Sequence, residues 1–256
     1  MAKIRLRFSK GGPLRFIGHL DFLKVFQQTI ARAKLPVAYS QGFNPHMQLS
    51  FALPLPLGMT SVCDYADLTL ESEMPEDEVI SRLNAHAPGG LKLTGAREFE
   101  GPGAAALVMA ADYTFPAELL ADCVPLATLP SDGATFAELP SGSNPLTRLT
   151  AEEKAEEKAE EIIRSLLNRE SIIIPKKTKS GIKDTDIRPD ILDISISHNQ
   201  VTMRLAAGSA RFLNPLIVAG LLFGRDACPA SITRVELYRI NTNNEGLVTL
   251  YDAPIS

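Results

Sequence analysis

The chain has 256 residues, 45% hydrophobic and 22% charged, with a formal net charge of −4. This is the balance of a soluble globular protein with room for one large or two small domains, and it excludes a generally basic nucleic-acid binder. No apolar run is long enough to span a bilayer; Leu216 to Phe223 is interrupted by Gly220. Met1 to Phe8 alternates charge and apolar residues and lacks the apolar core of a signal peptide, so a cytoplasmic protein without membrane contact is expected. Cys63, Cys123 and Cys228 lie far apart, which offers neither a disulfide framework nor a metal knuckle. They form no three-cysteine cluster motif for an iron–sulfur cluster. His19, His46, His86 and His198 are scattered, with no pair at helical ligand spacing. No metal and no cofactor are therefore expected.

Charge is unevenly spread. Residues 1–50 hold eight cations against Asp21 alone, whereas acids gather at 64–78 and 152–161. Such asymmetry suggests a local anion-binding face on an otherwise acidic protein. Lys3 to Phe8 is a period-two strand with Ile4, Leu6 and Phe8 toward a core and Lys3, Arg5 and Arg7 on the other face, where an open sheet would present them to phosphates. A Gly/Pro loop carrying Lys10 and Arg15 follows. His19 to Ala33 has helical spacing, with Asp21 in its first turn and Arg32 and Lys34 at its end, as the helix dipole favours. His19 stands where a helix start could meet an anion, or acts as a plain cap.

Val37 to Ser40 reads as a short strand, and Met47 to Leu53 as an alternating one. Between them, Gly42 allows positive φ and Pro45 fixes φ, which puts Phe43, Asn44 and His46 on a tight turn. An amide and an imidazole side by side suit a binding loop; a turn whose Asn caps its own backbone is the plainer reading. Asp64 to Leu70 is a strand with Ala66, Leu68 and Leu70 inward. Pro75 opens a helix ending at Pro88-Gly89-Gly90, and Leu91 to Phe99 is a strand. The order β-α-β-β-α-β is that of a ferredoxin-like sandwich.

Gly101-Pro102-Gly103 marks a boundary, and Leu107 to Phe115 reads as a strand. Pro116 to Asn144 is rich in Pro, Ser, Gly and Ala and reads as irregular. Thr150 with Glu153 forms a capping box for a helix running to about Asn168. Ser171 to Pro175 is a β-branched strand. The stretch from Lys176 to Pro189 then surrounds Asp184 and Asp186 with Lys176, Lys177, Lys179, Lys183 and Arg188, and reads as a loop fit for phosphates or as a surface loop pairing Asp186 with Arg188. Ile194 to Ser197 and Val201 to Ala206 form a hairpin, Asn214-Pro215 starts a helix to Phe223, and Ile232 to Ile240 is the last strand. The expected architecture is α+β, with two ferredoxin-like (βαββαβ) halves of antiparallel sheet and helices on one face. They would comprise residues 1–100 and 150–256, joined by an irregular insertion at 101–149.

Several segments together resemble a bacterial domain family of unknown function, the radical-SAM-linked domain. They are Arg5 to Phe8, Gly18-His19-Leu20-Asp21, Leu35 to Ala38, the Ser40 to His46 turn, Ser50 to Gly58 and Asp186-Ile187-Arg188-Pro189. The chain resembles a stand-alone member, because it lacks a radical SAM cysteine motif. The resemblance implies a radical SAM protein as partner and a bacterial cytoplasmic setting, and the family's association with ribosomal-protein and ribonuclease genes hints at RNA. It supplies no reaction.

Three functions follow. The first is an RNA-binding or substrate-presenting accessory protein for a radical SAM enzyme that modifies tRNA or rRNA. Its RNA contacts would come from Arg5, Arg7, Arg15, His19, Phe43, Asn44, His46, Lys176, Lys177, Lys179 and Arg188. The second is an RNA-modifying or RNA-processing enzyme of pseudouridine-synthase-like architecture, with Asp186, His19 and His46 as catalytic candidates. The third is a protein-interaction subunit without nucleic acid.

Overall fold

The computed structural model describes residues 1–120, 148–178, 181–224, 226–241 and 246–251. Lys179, Cys123, the Pro-rich stretch from residue 121 and the side chains of the Thr150/Glu153 capping box lie outside the described residues. The protein is α+β, with a large, mostly antiparallel sheet and few helices. No described helix is long and apolar enough to cross a membrane. The chain forms two compact units: residues 1–113, 205–212 and 229–256, and residues 114–204 and 213–228.

The first unit begins with strand β1 (Ala2–Lys10) and helix α1 (His19–Arg32), joined by a 3₁₀ turn at Gly12–Phe16. Then come β2 (Leu49–Phe51), β3 (Thr60–Leu70), α2 (Glu76–His86) and β4 (Leu91–Glu98). β1 pairs antiparallel with both β3 and β4, and β2 pairs antiparallel with β3, which gives the local order β4-β1-β3-β2. The even positions of β1 (Ile4, Leu6, Phe8) pack with Phe22, Phe26 and Ile30 of α1 and with Val79 and Leu83 of α2. This is the expected period-two face meeting two amphipathic helices. Phe8, Phe22, Phe26 and Phe51 contact one another ring to ring, with centroids 5.2–6.0 Å apart.

Helix α3 (Ala104–Leu107) leads to β5 (Ala110–Pro116), along which the chain passes into the second unit. The second unit holds α4 (Arg148–Leu167), β6 (Ile173–Thr178), β7 (Gly181–Asp186), β8 (Ile191–Ser197), β9 (Gln200–Ala206) and α5 (Pro215–Phe223). Its strand order is β5-β9-β8. The β8–β9 hairpin turns through His198 and Asn199, both at positive φ (50° and 58°), the conformation a two-residue turn demands. Asn214 caps α5 by accepting the Leu216 N–H at 3.1 Å, with Pro215 at the first position as expected.

Three expectations change. Val37 to Ser40 forms isolated bridges rather than a strand, Val37 with Leu70 and Tyr39 with Met47. The segment from Lys176 onward is not a loop: β6 continues to Thr178 and pairs with β7 as a separate two-stranded ribbon. The last long strand, β10 (Thr233–Ile240), does not complete the second unit. It returns to the first, pairs parallel with β3 through Thr233–Thr60 and Arg234–Ser61, and carries the short β11 (Leu247–Thr249) on its other end. The sheet face bearing Arg5 is consequently covered, because Leu250 and Tyr251 follow β11 back over β1.

Candidate functional site

The turn from Ser40 to His46 is exposed along its tip and fixed at its base. The Ser40 N–H donates to the His46 carbonyl at 2.9 Å, and the His46 N–H donates to Ser40 Oγ at 3.1 Å. Gln48 donates its backbone N–H to Ala38 at 3.0 Å and its side-chain amide to the Tyr39 carbonyl at 3.3 Å. The Thr69 N–H donates to the Gln48 carbonyl at 3.1 Å, rooting the turn on β3. Gly42 has φ +129°, a value L side chains rarely adopt. The result is a braced loop with Phe43 fully exposed at its tip, Asn44 and His46 exposed beside it, and Tyr39 48% exposed at its root. His46 Nδ1 lies 3.1 Å from the Asn44 carbonyl, which holds the ring in place. Beside the turn runs an open groove of about 410 Å³, with Lys3, His46, Gln48, Ser50, Asp67 and Thr69 among its walls. That volume falls in the range of small-molecule sites, about 300–1,000 Å³.

His19, the first residue of α1, is exposed and packs edge-on against Phe51, 5.6 Å between ring centroids. Among the described contacts none joins it to His46. Arg15 lies over the Phe16 ring, and its guanidinium donates to the Gly58 carbonyl at 2.7 Å and to the Ala230 carbonyl. It serves the connector around Gly58 rather than a phosphate.

The sheet face expected to present Arg5 and Arg7 is partly covered, and both guanidiniums are engaged by the protein's own groups. Arg5 is 6% exposed and grips Asp67 with two hydrogen bonds of 2.8 and 3.1 Å. Its guanidinium also reaches the Leu250 carbonyl at 3.2 Å and stacks 4.4 Å from the Phe99 centroid. Arg7 is half-buried, donating to Cys63 Sγ at 3.0 Å and lying 3.6 Å from Glu236. Lys10, also counted among the basic residues, is buried over the Phe22 ring at 4.6 Å, and desolvation lowers its pKa. Of the first strand's cations, Lys3 is the one that stays exposed and lines the groove.

In the second unit, Asp186 and Arg188 are structural. Asp186 Oδ1 accepts the N–H groups of Ile172 (2.8 Å) and Arg188 (3.0 Å), so the carboxylate braces the base of the ribbon instead of standing as a base or nucleophile. Arg188 donates through Nε and Nη2 to the Leu167 carbonyl at 3.3 and 2.9 Å, and through Nη1 to Ile191 at 3.1 Å. A cation on the last carbonyl of α4 is a C-cap that also complements the helix dipole. Lys176 and Lys177 lie in β6, with Lys176 exposed.

Two buried clusters escaped the sequence reading. In one, Arg234 (0% exposed) donates to Asp64 at 2.7 Å and to the Leu53 and Pro54 carbonyls at 2.9 and 3.3 Å. Asp64 shares the parity of the inward residues Ala66 and Leu68 in β3, and that parity is the signal that could have revealed it. In the other, Tyr65 donates to Glu236 at 2.6 Å, with Cys63 Sγ 3.2 Å from the same hydroxyl and 3.3 Å from the carboxylate. Burial pushes the Cys63 thiol up to about 11, aided by Glu236 and opposed by Tyr65 and Arg7. At pH 8 only about one such thiol in a thousand is ionised, which makes it a poor nucleophile. Iodoacetamide at pH 8 should therefore label exposed Cys228 and spare Cys63 until the protein is denatured, as peptide mass mapping would report. Equal labelling of both would mean that the cover over Cys63 opens readily.

A search of curated proteins returns no match. A family model described as "Uncharacterized protein conserved in bacteria (DUF2344)" matches residues 3–215, which places the turn, the groove and the ribbon inside it, and the chain belongs to that bacterial family.

Proposed function

We propose that the protein is a non-catalytic RNA-binding module that presents its RNA to a radical SAM enzyme in the bacterial cytoplasm. The observation that carries this reading is the braced turn with Phe43 fully exposed and Asn44 and His46 beside it. A ring held in solvent on a braced turn is pre-positioned for stacking: single-stranded bases stack on such rings, while amides and imidazoles bond their edges. Lys3 on the neighbouring groove supplies a cation for the backbone. The order β4-β1-β3-β2 with two crossover helices supports a ferredoxin-like reading of the first unit, an architecture common among RNA-binding modules. The enzyme partner rests on the resemblance of the quoted segments to the radical-SAM-linked domain. Catalysis has less support, because Asp186 is engaged by backbone N–H groups and His19 packs on Phe51.

One observation favours the reading as an interaction subunit without nucleic acid. Phe16 (68%), Leu20 (70%) and Leu57 (57%) are exposed on segments joined by the Arg15–Gly58 bonds and suit an apolar partner. An RNA pull-down from bacterial lysate with the purified chain separates the two. Enrichment of one RNA class, reduced about tenfold or more by Phe43→Ala/His46→Ala, is expected from the loss of one stacked base. Absence of any enriched RNA, with a protein partner still captured independently of salt, would sink the RNA reading.

A further inference from the structure

One face of the β6–β7 ribbon carries two cations. In its register Lys176 lies directly opposite Lys183 and Ile174 opposite Thr185, whereas positions 173, 175 and 177 of β6 and 182, 184 and 186 of β7, Asp184 and Asp186 among them, alternate onto the other face. The face with the two lysines therefore has no carboxylate among its described residues, although Asp184 is the very next residue. Like charges directly across an antiparallel pair repel, and both lysines are exposed. The register is not free to relieve this, because the ribbon's base is clamped. Asp186 Oδ1 holds the Ile172 and Arg188 N–H groups, the Ile187 N–H donates to the Ile172 carbonyl at 2.9 Å, and Arg188 is tied to the end of α4. A two-stranded ribbon standing as its own sheet is also marginal without a partner. Paired cations held against their mutual repulsion on a solvent-facing ribbon are what a polyanion backbone requires, since a bridging phosphate converts the repulsion into two charge-assisted contacts.

We infer that the Lys176/Lys183 face of this ribbon is a sequence-independent binding site for the phosphodiester backbone of RNA. The inference rests on the RNA reading above and adds a second contact to it. The Phe43 turn reads bases, and the ribbon holds the backbone wherever it lies.

The test is fluorescence anisotropy with the full chain and two labelled single-stranded RNAs of unrelated sequence, titrated across about 50 to about 200 mM salt. Lys176→Gln/Lys183→Gln should weaken both RNAs about tenfold at low salt and lower the salt slope by about 1.4, the value for two phosphate contacts on a single strand. Lys176→Arg/Lys183→Arg should restore both quantities, and Asp184→Asn on the opposite face should leave them unchanged. An unaltered affinity and slope in the glutamine variant, with the wild type binding, would overturn the ribbon site and leave the turn's reading standing. Binding reduced by the ribbon variant and not by Phe43→Ala/His46→Ala would support the ribbon and remove the turn. A wild-type chain that binds neither RNA at about 50 mM salt would overturn both.

Discussion

Arg234→Met should destabilise the protein by about 3–5 kcal/mol, the cost of breaking a buried ion pair from one side. Arg234 is fully buried and makes bonds to Asp64, Leu53 and Pro54 through its guanidinium. Methionine fills much of its volume but leaves Asp64, itself 4% exposed, without its cation and two backbone carbonyls without a donor. The pair also stands where β10 joins β3, since Arg234 and Ser61 are register partners in that parallel pairing. Loss of the pair therefore loosens the attachment of the returning strand as well as the charge balance. Urea denaturation followed by circular dichroism gives the magnitude. The double variant Arg234→Met/Asp64→Leu removes both charges and should recover most of the loss, because the uncompensated carboxylate and not the missing attraction is the main cost. A double variant as unstable as Arg234→Met alone would place the cost in the Leu53 and Pro54 carbonyls instead.

The elements that sequence reading located are those with local causes. β1, α1, α2, β4, the β8–β9 hairpin and α5 announce themselves through periodicity, Pro and Asn caps and a two-residue turn, and each lies within a few residues of its expected bounds. The exposed turn was legible for the same reason: Gly42 and Pro45 restrict the backbone locally, and Phe43 fits no core pattern around it. What failed was long-range. The partner of β3 near Thr60 comes from residue 233, and the carbonyl that meets Arg5 comes from Leu250. Neither a window of ten residues nor a charge count can show that a later segment returns to cover a sheet face. The ribbon failed for a different reason. Lysine, aspartate and glycine suggest a loop, and it is the clamp through Asp186 and Arg188 that turns this composition into paired strands. The same two residues looked catalytic or phosphate-binding because an aspartate among cations is ambiguous until its partners are known. Here the partners are backbone groups.

Arg5 shows how costly that ambiguity can be in an experiment. A phosphate-face reading selects Arg5→Glu as a test of RNA binding, yet the substitution would place a carboxylate against Asp67 inside a covered site. Arg5 and Asp67 are directly opposite each other across β1 and β3, with side chains 7% and 11% exposed. Asp67 also accepts the Ala104 N–H, so it anchors the start of α3. Even the milder Arg5→Met should cost about 3–5 kcal/mol by stranding Asp67 and the Leu250 carbonyl. Lys3→Glu, two residues away on the same strand but exposed, should change stability by less than about 0.5 kcal/mol. If RNA binding is present, Lys3→Glu should weaken it without unfolding the chain, since Lys3 lines the groove beside the turn. Thermal melts run alongside the binding assay separate the two effects. Arg5→Met should melt early, and binding should return on cooling or on addition of a stabilising osmolyte, because its RNA contacts are intact. A chain with Arg5→Met that melts like the wild type would mean the covering segment at Leu250 and Tyr251 is open in solution, and it would return Arg5 to the accessible cations of the first strand.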